Sequence, residues 1–129
     1  MLNYLTIMLG GAIGTGARFW LSGFVAQRYG EFFPLGTLVV NITGCFLVGA
    51  FAGLTEPPSP IFISPPVRQF FMIGICGGYT TFSSFGLQTF TLAENGEFLK
   101  AGLNAVLSLV CCVFAVWVGP TISVALTSR

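Results

Sequence analysis

The chain has 129 residues, of which 54% are hydrophobic and only 7% are charged, with a formal net charge of +1. A typical soluble domain carries about 25% charged residues, so five basic and four acidic side chains cannot cover a soluble globule of this size. The composition therefore predicts an all-α membrane protein whose surface is solvated mainly by lipid. A chain with no basic cluster gives no indication of a nucleic-acid partner, and the length predicts a single domain over residues 1–129.

Four apolar stretches are each long enough to form a transmembrane helix, which needs about 20 mostly apolar residues. Only the first stretch contains a charge, Arg18, while the other charges fall in short connections and at the end of the sequence. Glycines spaced by four in three of the stretches are typical of closely packed membrane helices. The predicted spans cover residues 2–25, 34–54, 69–93 and 101–126.

The third stretch contains the segment Gly77-Gly78-Tyr79-Thr80-Thr81 at its middle. Each glycine destabilises a helix by about 1 kcal/mol, and a break at membrane depth exposes carbonyl and amide groups that bind ions. The same residues also suit a continuous helix that uses Gly74 and Gly78 as a GxxxG packing pair. The pattern alone leaves both interpretations open.

Loop and terminal cations are shared equally between the two sides of such a four-helix chain, with Arg68 and Arg129 on one side and Arg28 and Lys100 on the other. Because an excess of these cations sets orientation, the sequence predicts insertion in both orientations. Four helices are also few to enclose a pathway. A dimer of oppositely inserted copies, with its two-fold axis in the membrane plane, accounts for both features.

The segment Thr80-Thr81-Phe82-Ser83-Ser84-Phe85 combines four hydroxyl groups with two aromatic rings. Phe82 and Phe85 are three residues apart and therefore share a helix face. The electropositive edge of an aromatic ring can contact an anion, and hydroxyl groups can replace the anion's water shell. The alternative is that both rings simply face lipid.

Three other polar features lie within the spans. Arg18 either gives an anion route a positive potential or extends to the lipid headgroups. Asn41 either lines a pore or bridges two helices. Asn104, Ser108 and Cys112 are spaced by four and form a polar stripe, which faces either the hydroxyl groups of the third span or another helix.

The spans also lack groups that other functions require. No Asp or Glu lies within them, whereas a proton-coupled cation exporter needs an intramembrane carboxylate, so the alternative of a small multidrug-resistance-type exporter is disfavoured. The sequence shows no nucleophile–base pair of the kind that would indicate an enzyme. The chain has no histidine, and its four cysteines form no CxxC motif, so they are interpreted as small apolar packing residues rather than a zinc or redox site.

Three motifs resemble those of the Fluc or CrcB family of fluoride channels: GGAIG followed by Arg18, GTLVVNITG in the second span, and GGYTTFSSF in the third. The resemblance implies a multi-pass protein of the cell inner membrane that exports fluoride passively and relieves its toxicity. It also implies an antiparallel homodimer with two pores. One sodium ion, which is not transported, would lie at the dimer centre and be bound by the carbonyls of Gly77 and Thr80 from both subunits.

The resemblance further implies that Phe82 and Phe85 are pore phenylalanines and that Asn41 is the pore asparagine. The chain departs from the family pattern at Gln88, where glutamate is usual, at Cys112, where serine is frequent, and at Asn104, where some members have tyrosine. These departures leave open the details of the pore and a heterodimer with a related chain. The residues predicted to line or adjoin the anion pathway are Arg18, Asn41, Thr81, Phe82, Ser83, Ser84, Phe85 and Ser108.

Overall fold

The structure, a computed structural model, describes residues 1–57, 59 and 61–127. All regular secondary structure within these ranges is helical. In chain order the helices are α1 (Leu2–Tyr29), α2 (Leu35–Thr55), α3 (Pro65–Gln69), a π-helical segment (Phe70–Cys76), α4 (Gly77–Tyr79), α5 (Phe82–Glu94) and α6 (Phe98–Thr127).

Within the described residues, three helical stretches are long and apolar enough to cross a membrane: Leu35–Thr55, Pro65–Glu94 and Phe98–Thr127. They correspond to the predicted second, third and fourth spans, so the prediction of an all-α membrane protein is confirmed. The 28 residues of α1 have sufficient length, but glycines, threonines and Arg18 lower its hydropathy below that of the other three. Its assignment as a fourth span stays a prediction.

The third span, Pro65–Glu94, is interrupted near its middle by two residues of extended backbone. Thr80 has φ −75° and ψ 157°, and Thr81 has φ −150° and ψ 111°. The break predicted from the paired glycines is therefore present. The first half of this span begins with Pro65 and Pro66, four residues earlier than predicted, because proline is well suited to the first turn of a helix.

The glycines of this span also act as a packing face, although the continuous helix of the second interpretation is not observed. The first half of the span packs on α1, where Gly10 lies against Gly74 and Gly11 lies against Gly78. A Cβ atom placed on Gly14 would lie 2.1 Å from the carbonyl oxygen of Ile75. Glycine at these positions allows the backbone of α1 to approach the broken span closely.

A second close pair is formed by α2 and α6. A Cβ atom on Gly49 would lie 2.5 Å from the carbonyl oxygen of Val116, and one on Gly53 would lie 2.6 Å from Cα of Pro120. Four positions separate the two glycines on α2, and four positions in the same chain direction separate their partners on α6. The two helices therefore run parallel. The bundle therefore consists of α1 with the first half of the third span, α2 with α6, and α5 packed on α6.

Candidate functional site at the break in the third span

Asn41 of α2 holds the backbone at the break. Its Nδ2 donates a hydrogen bond to the Thr81 carbonyl at 3.0 Å, and its Oδ1 accepts one from the Thr81 N–H at 2.7 Å. The side chain thus replaces the helical acceptor that the Thr81 N–H loses where the helix stops, and it gives the Thr81 carbonyl an additional donor. Of the two interpretations of Asn41, bridging of two elements is observed, and one N–H of its amide is left for another acceptor.

Two side chains of α1 bind carbonyl groups on the other side of the break. Nη1 of the partly buried Arg18 donates to the Thr80 carbonyl at 3.3 Å, and Oγ1 of Thr15 donates to the Gly78 carbonyl at 3.3 Å. Arg18 therefore places a positive charge beside the break instead of extending away to the headgroups. Because α1 packs closely through Gly11 and Gly14, these side chains reach the broken backbone.

Three hydroxyl groups gather at the start of α5. Thr81 caps this helix, since its Oγ1 accepts a hydrogen bond from the Ser84 N–H at 3.2 Å and donates to the Ser84 hydroxyl at 3.0 Å. The Ser83 hydroxyl lies 3.3 Å from Oγ1 of Thr81. The cluster sits at a helix N-terminus, where the free N–H groups carry a partial positive charge. The predicted pathway residues Thr81, Ser83 and Ser84 are thus brought together.

The rings of Phe82 and Phe85 lie side by side on α5, as their spacing predicts. Their centroids are 5.3 Å apart, and the ring planes are inclined by 43°. Phe82 is 83% exposed, whereas Phe85 is partly buried. Since one face of the pair is open, a single chain does not enclose these rings in a pore.

Asn104, the first residue of the predicted polar stripe on α6, contacts the third span. Asn104, which is 2% exposed, donates from Nδ2 to Oγ1 of Thr89 at 2.8 Å. Thr89 in turn donates to the Phe85 carbonyl at 2.7 Å. Thr89 therefore links α6 to the helical turn that carries Phe85. Ser108 is buried one turn further along α6, and Cys112 lies against α2 instead of the third span.

A cavity of about 760 Å³ opens beside the break and is lined by α1, the start of α2 and α5. Arg18, Thr81 and Ser84 face it, together with Thr37 and Gln88, which the sequence reasoning did not place in the pathway. Oε1 of Gln88 is buried without a hydrogen-bond partner among the described residues. A large, mainly apolar cavity that carries these polar side chains therefore leads from the loop end of the bundle to the broken backbone.

The carbonyl groups proposed as sodium ligands fit a hard monovalent cation, which prefers oxygen ligands. Gly77 loses the usual helical donor for its carbonyl, because the Thr81 N–H is bound to Asn41. The Thr80 carbonyl is shared with Arg18, and its second lone pair leaves room for one further partner. The donor set of Gly77 and Thr80 is therefore compatible with sodium, although the guanidinium group of Arg18 lies close to one ligand.

A family model described as CrcB-like protein, Camphor Resistance (CrcB), matches residues 5–120. A relative from Rhodospirillum rubrum is 55% identical over 118 residues, covering 92% of each chain. A relative from Opitutus terrae is 54% identical over 128 residues, covering 99% of this chain and 97% of its own. One from Methylocella silvestris is 49% identical over 125 residues, covering 97% and 95%. All three are named "Fluoride-specific ion channel FluC", and the chain belongs to the CrcB family.

Proposed function

We propose that this protein is a fluoride-selective channel through which fluoride leaves a cell passively, so that fluoride toxicity is relieved. The observation that carries the proposal is the broken third span. At the break, Arg18 binds the Thr80 carbonyl, and the helix that starts there carries a cluster of hydroxyl groups and two adjacent aromatic rings. Relatives of about the same length, named for fluoride conduction, support the choice of ion.

Arg18 and the cavity beside it supply the attraction that brings an anion to the break. A positive charge in a narrow cleft with apolar walls raises the local concentration of anions. Arg18 is held by the Thr80 carbonyl, and among the described residues no carboxylate forms an ion pair with it, so its charge is not cancelled there. The anion therefore meets a positive potential at the inner end of the cavity.

Beyond Arg18, the groups that contact the anion are uncharged. The Ser83 and Ser84 hydroxyls and the free N–H of Asn41 are donors that can replace part of the water shell of a strongly hydrated anion. The edges of the Phe82 and Phe85 rings add a weaker electropositive contact. Because no full charge binds the anion at this point, it leaves as readily as it enters, which conduction requires.

We further propose that two copies assemble as an antiparallel homodimer, with α1 as the fourth transmembrane helix of each. The equal division of loop cations supports insertion in both orientations. The 83% exposure of Phe82 supports a second copy that covers this ring and completes the wall of the pathway. The same arrangement places the broken spans of both copies near the two-fold axis, in the cell inner membrane.

A structural sodium ion at the dimer centre is part of this proposal. It would be coordinated by the carbonyl oxygens of Gly77 and Thr80, which lie at the break, and would link the two broken spans. The described residues contain no cluster of three or more histidine, cysteine or acidic side chains that could hold a metal ion instead. The ion would be retained and not transported.

The alternative of a small multidrug-resistance-type exporter is not favoured. Within the described spans, the nearest carboxylate to the bilayer interior is that of Glu94, the last residue of α5, which is exposed. A proton-coupled exporter needs an acidic group that both protons and substrate reach inside the membrane. The relatives named as fluoride channels point the same way.

The test is anion efflux from liposomes that contain the purified protein and are loaded with either fluoride or chloride. We expect rapid fluoride efflux once a potassium ionophore balances the charge, at the same rate with and without a proton gradient, and no protein-dependent chloride efflux. Equal efflux of both anions would contradict the selectivity. Efflux that occurs only with a proton gradient would favour a coupled exporter.

A further inference from the structure

Cys45 of α2 and Cys112 of α6 face each other across the most extensive helix–helix contact in the bundle. Gly49 lies opposite Val116, and a Cβ atom on Gly49 would be 3.0 Å from Cα of Val116. Because the two helices run parallel in constant register, moving back one turn on both helices places Cys45 opposite Cys112. The backbones are therefore close at the level of the two thiols.

The two thiols are also near enough to interact electrostatically. Neither residue is in a disulfide in this structure. Both are partly exposed, whereas Cys76 is buried on the third span. Cys111 precedes Cys112 and so points about 100° away around the helix. Besides packing at the α2–α6 contact, Cys45 and Cys112 therefore bring two free thiols close together.

We propose that Cys45 and Cys112 form an oxidisable pair that closes into a disulfide bond between α2 and α6. Two S–H bonds break and one S–S bond forms, while two hydrogens with their electrons pass to an uncharged two-electron oxidant. With a peroxide the products are two molecules of water. The pair lies within apolar helices, so a small uncharged oxidant reaches it more readily than a charged disulfide such as oxidised glutathione.

The geometry favours a disulfide over a bound metal ion. A disulfide joins Cα atoms about 4.4–6.8 Å apart, a separation that suits helices in contact through glycine. The described residues offer no third histidine, cysteine or acidic ligand that would complete a metal site around this pair. The bond would close a loop that contains the whole broken span, and it would brace α6 one turn away from Ser108.

The test counts free thiols after treatment of the folded protein with diamide, an uncharged azo compound that becomes a hydrazine when it accepts two hydrogens. Excess diamide is removed, the protein is denatured, and the remaining thiols are alkylated and counted by mass spectrometry. The untreated chain has four cysteines, and we expect two to remain after oxidation, with a cross-link between the peptides that contain residues 45 and 112. Dithiothreitol should restore all four.

Single serine variants identify the partners without use of fluoride transport, so the result is independent of the proposed function. Cys111→Ser should still oxidise and keep one of its three thiols, while Cys45→Ser and Cys112→Ser should each keep three. Protein unfolded in detergent before oxidation should lose the selectivity for this pair. Four remaining thiols in the wild type, a cross-link that requires Cys111 or Cys76, or a reducible link between two chains would each overturn the proposal.

Discussion

Asn41 and Thr81 are joined by two hydrogen bonds in which a side-chain amide binds both backbone groups of one residue, at 3.0 and 2.7 Å. The broken third span therefore depends on α2 for the groups that a continuous helix would satisfy internally. This bridge holds the start of α5, and with it the hydroxyl groups and aromatic rings of the proposed pathway.

Replacing Asn41 should therefore lower both stability and transport. Asn41→Ala leaves the N–H of the buried Thr81 without its partner, which costs about 1–3 kcal/mol. Unfolding in mixed detergent should show this loss, and fluoride efflux should fall with it. The exposed Asn3, near the start of α1, provides the control, because Asn3→Ala removes no side-chain hydrogen bond. Equal stability of the two variants would contradict the bridging role.

The aromatic pair should matter for transport more than for folding. Phe82→Ile and Phe85→Ile keep apolar bulk but remove the electropositive ring edges, a contribution of about 0.5–1.5 kcal/mol for each ring. Each change should slow fluoride efflux, by up to about tenfold. Phe90→Ile is the matched control, since Phe90 lies exposed on the same helix. Normal efflux from folded Phe82 and Phe85 variants would assign the rings to packing alone.

The charge of Arg18 should set how strongly the cavity attracts anions. Arg18→Gln removes the positive potential and should reduce fluoride efflux most at low salt, where electrostatic attraction is least screened. Arg18→Lys keeps the charge and should retain a larger part of the activity. Arg28→Gln removes a cation from the exposed end of α1, and it should change efflux little. If Arg18→Gln reduces fluoride efflux equally at low and high salt, Arg18 has a structural role only.

Asn104 and Thr89 should be energetically coupled through their hydrogen bond. In a double-mutant cycle with Asn104→Ala and Thr89→Val, we expect a coupling of about 0.5–1.5 kcal/mol in the free energy of unfolding. The same cycle with Thr91→Val should give no coupling, because Thr91 is exposed on the same helix. Additive effects of the Asn104 and Thr89 changes would show that this link contributes nothing to stability.

The contact between α1 and the broken span should be sensitive to a single methyl group. Gly14→Ala places a Cβ atom 2.1 Å from the Ile75 carbonyl oxygen, so the helices must separate, at a cost of about 1–3 kcal/mol. Gly16→Ala meets no atom within 4 Å and should stabilise the helix slightly. Thermal unfolding of both variants in the same detergent compares them directly, and similar stabilities would contradict the close packing.

Much of the site was predictable from local sequence. Paired glycines followed by threonines made a break one of two interpretations of the third span, and the spacing of Phe82 and Phe85 places both rings on one helix face. The hydroxyl cluster follows from three polar residues within four positions at a helix start. These features depend on neighbours within a few positions, and the structure reproduces them.

The remaining features depend on contacts between distant parts of the chain. The choice between a lining and a bridging role for Asn41 could not be made from residue 41 alone, because its partner lies 40 positions away. Thr89 was missed, although its position one turn after Phe85 is a usable signal for a polar residue inside a span. The pairing of Cys45 with Cys112 likewise needs the register of α2 against α6, which only the glycine contacts reveal.

Fluoride selectivity can be measured directly as a current in a planar bilayer that holds the purified protein, with fluoride on one side and chloride on the other. We expect a current carried by fluoride alone, with a reversal potential displaced far from zero towards the equilibrium potential of fluoride. Phe82→Ile should reduce this current, while Phe90→Ile should leave it intact. A reversal potential near zero, which means equal permeability to both anions, would contradict the account.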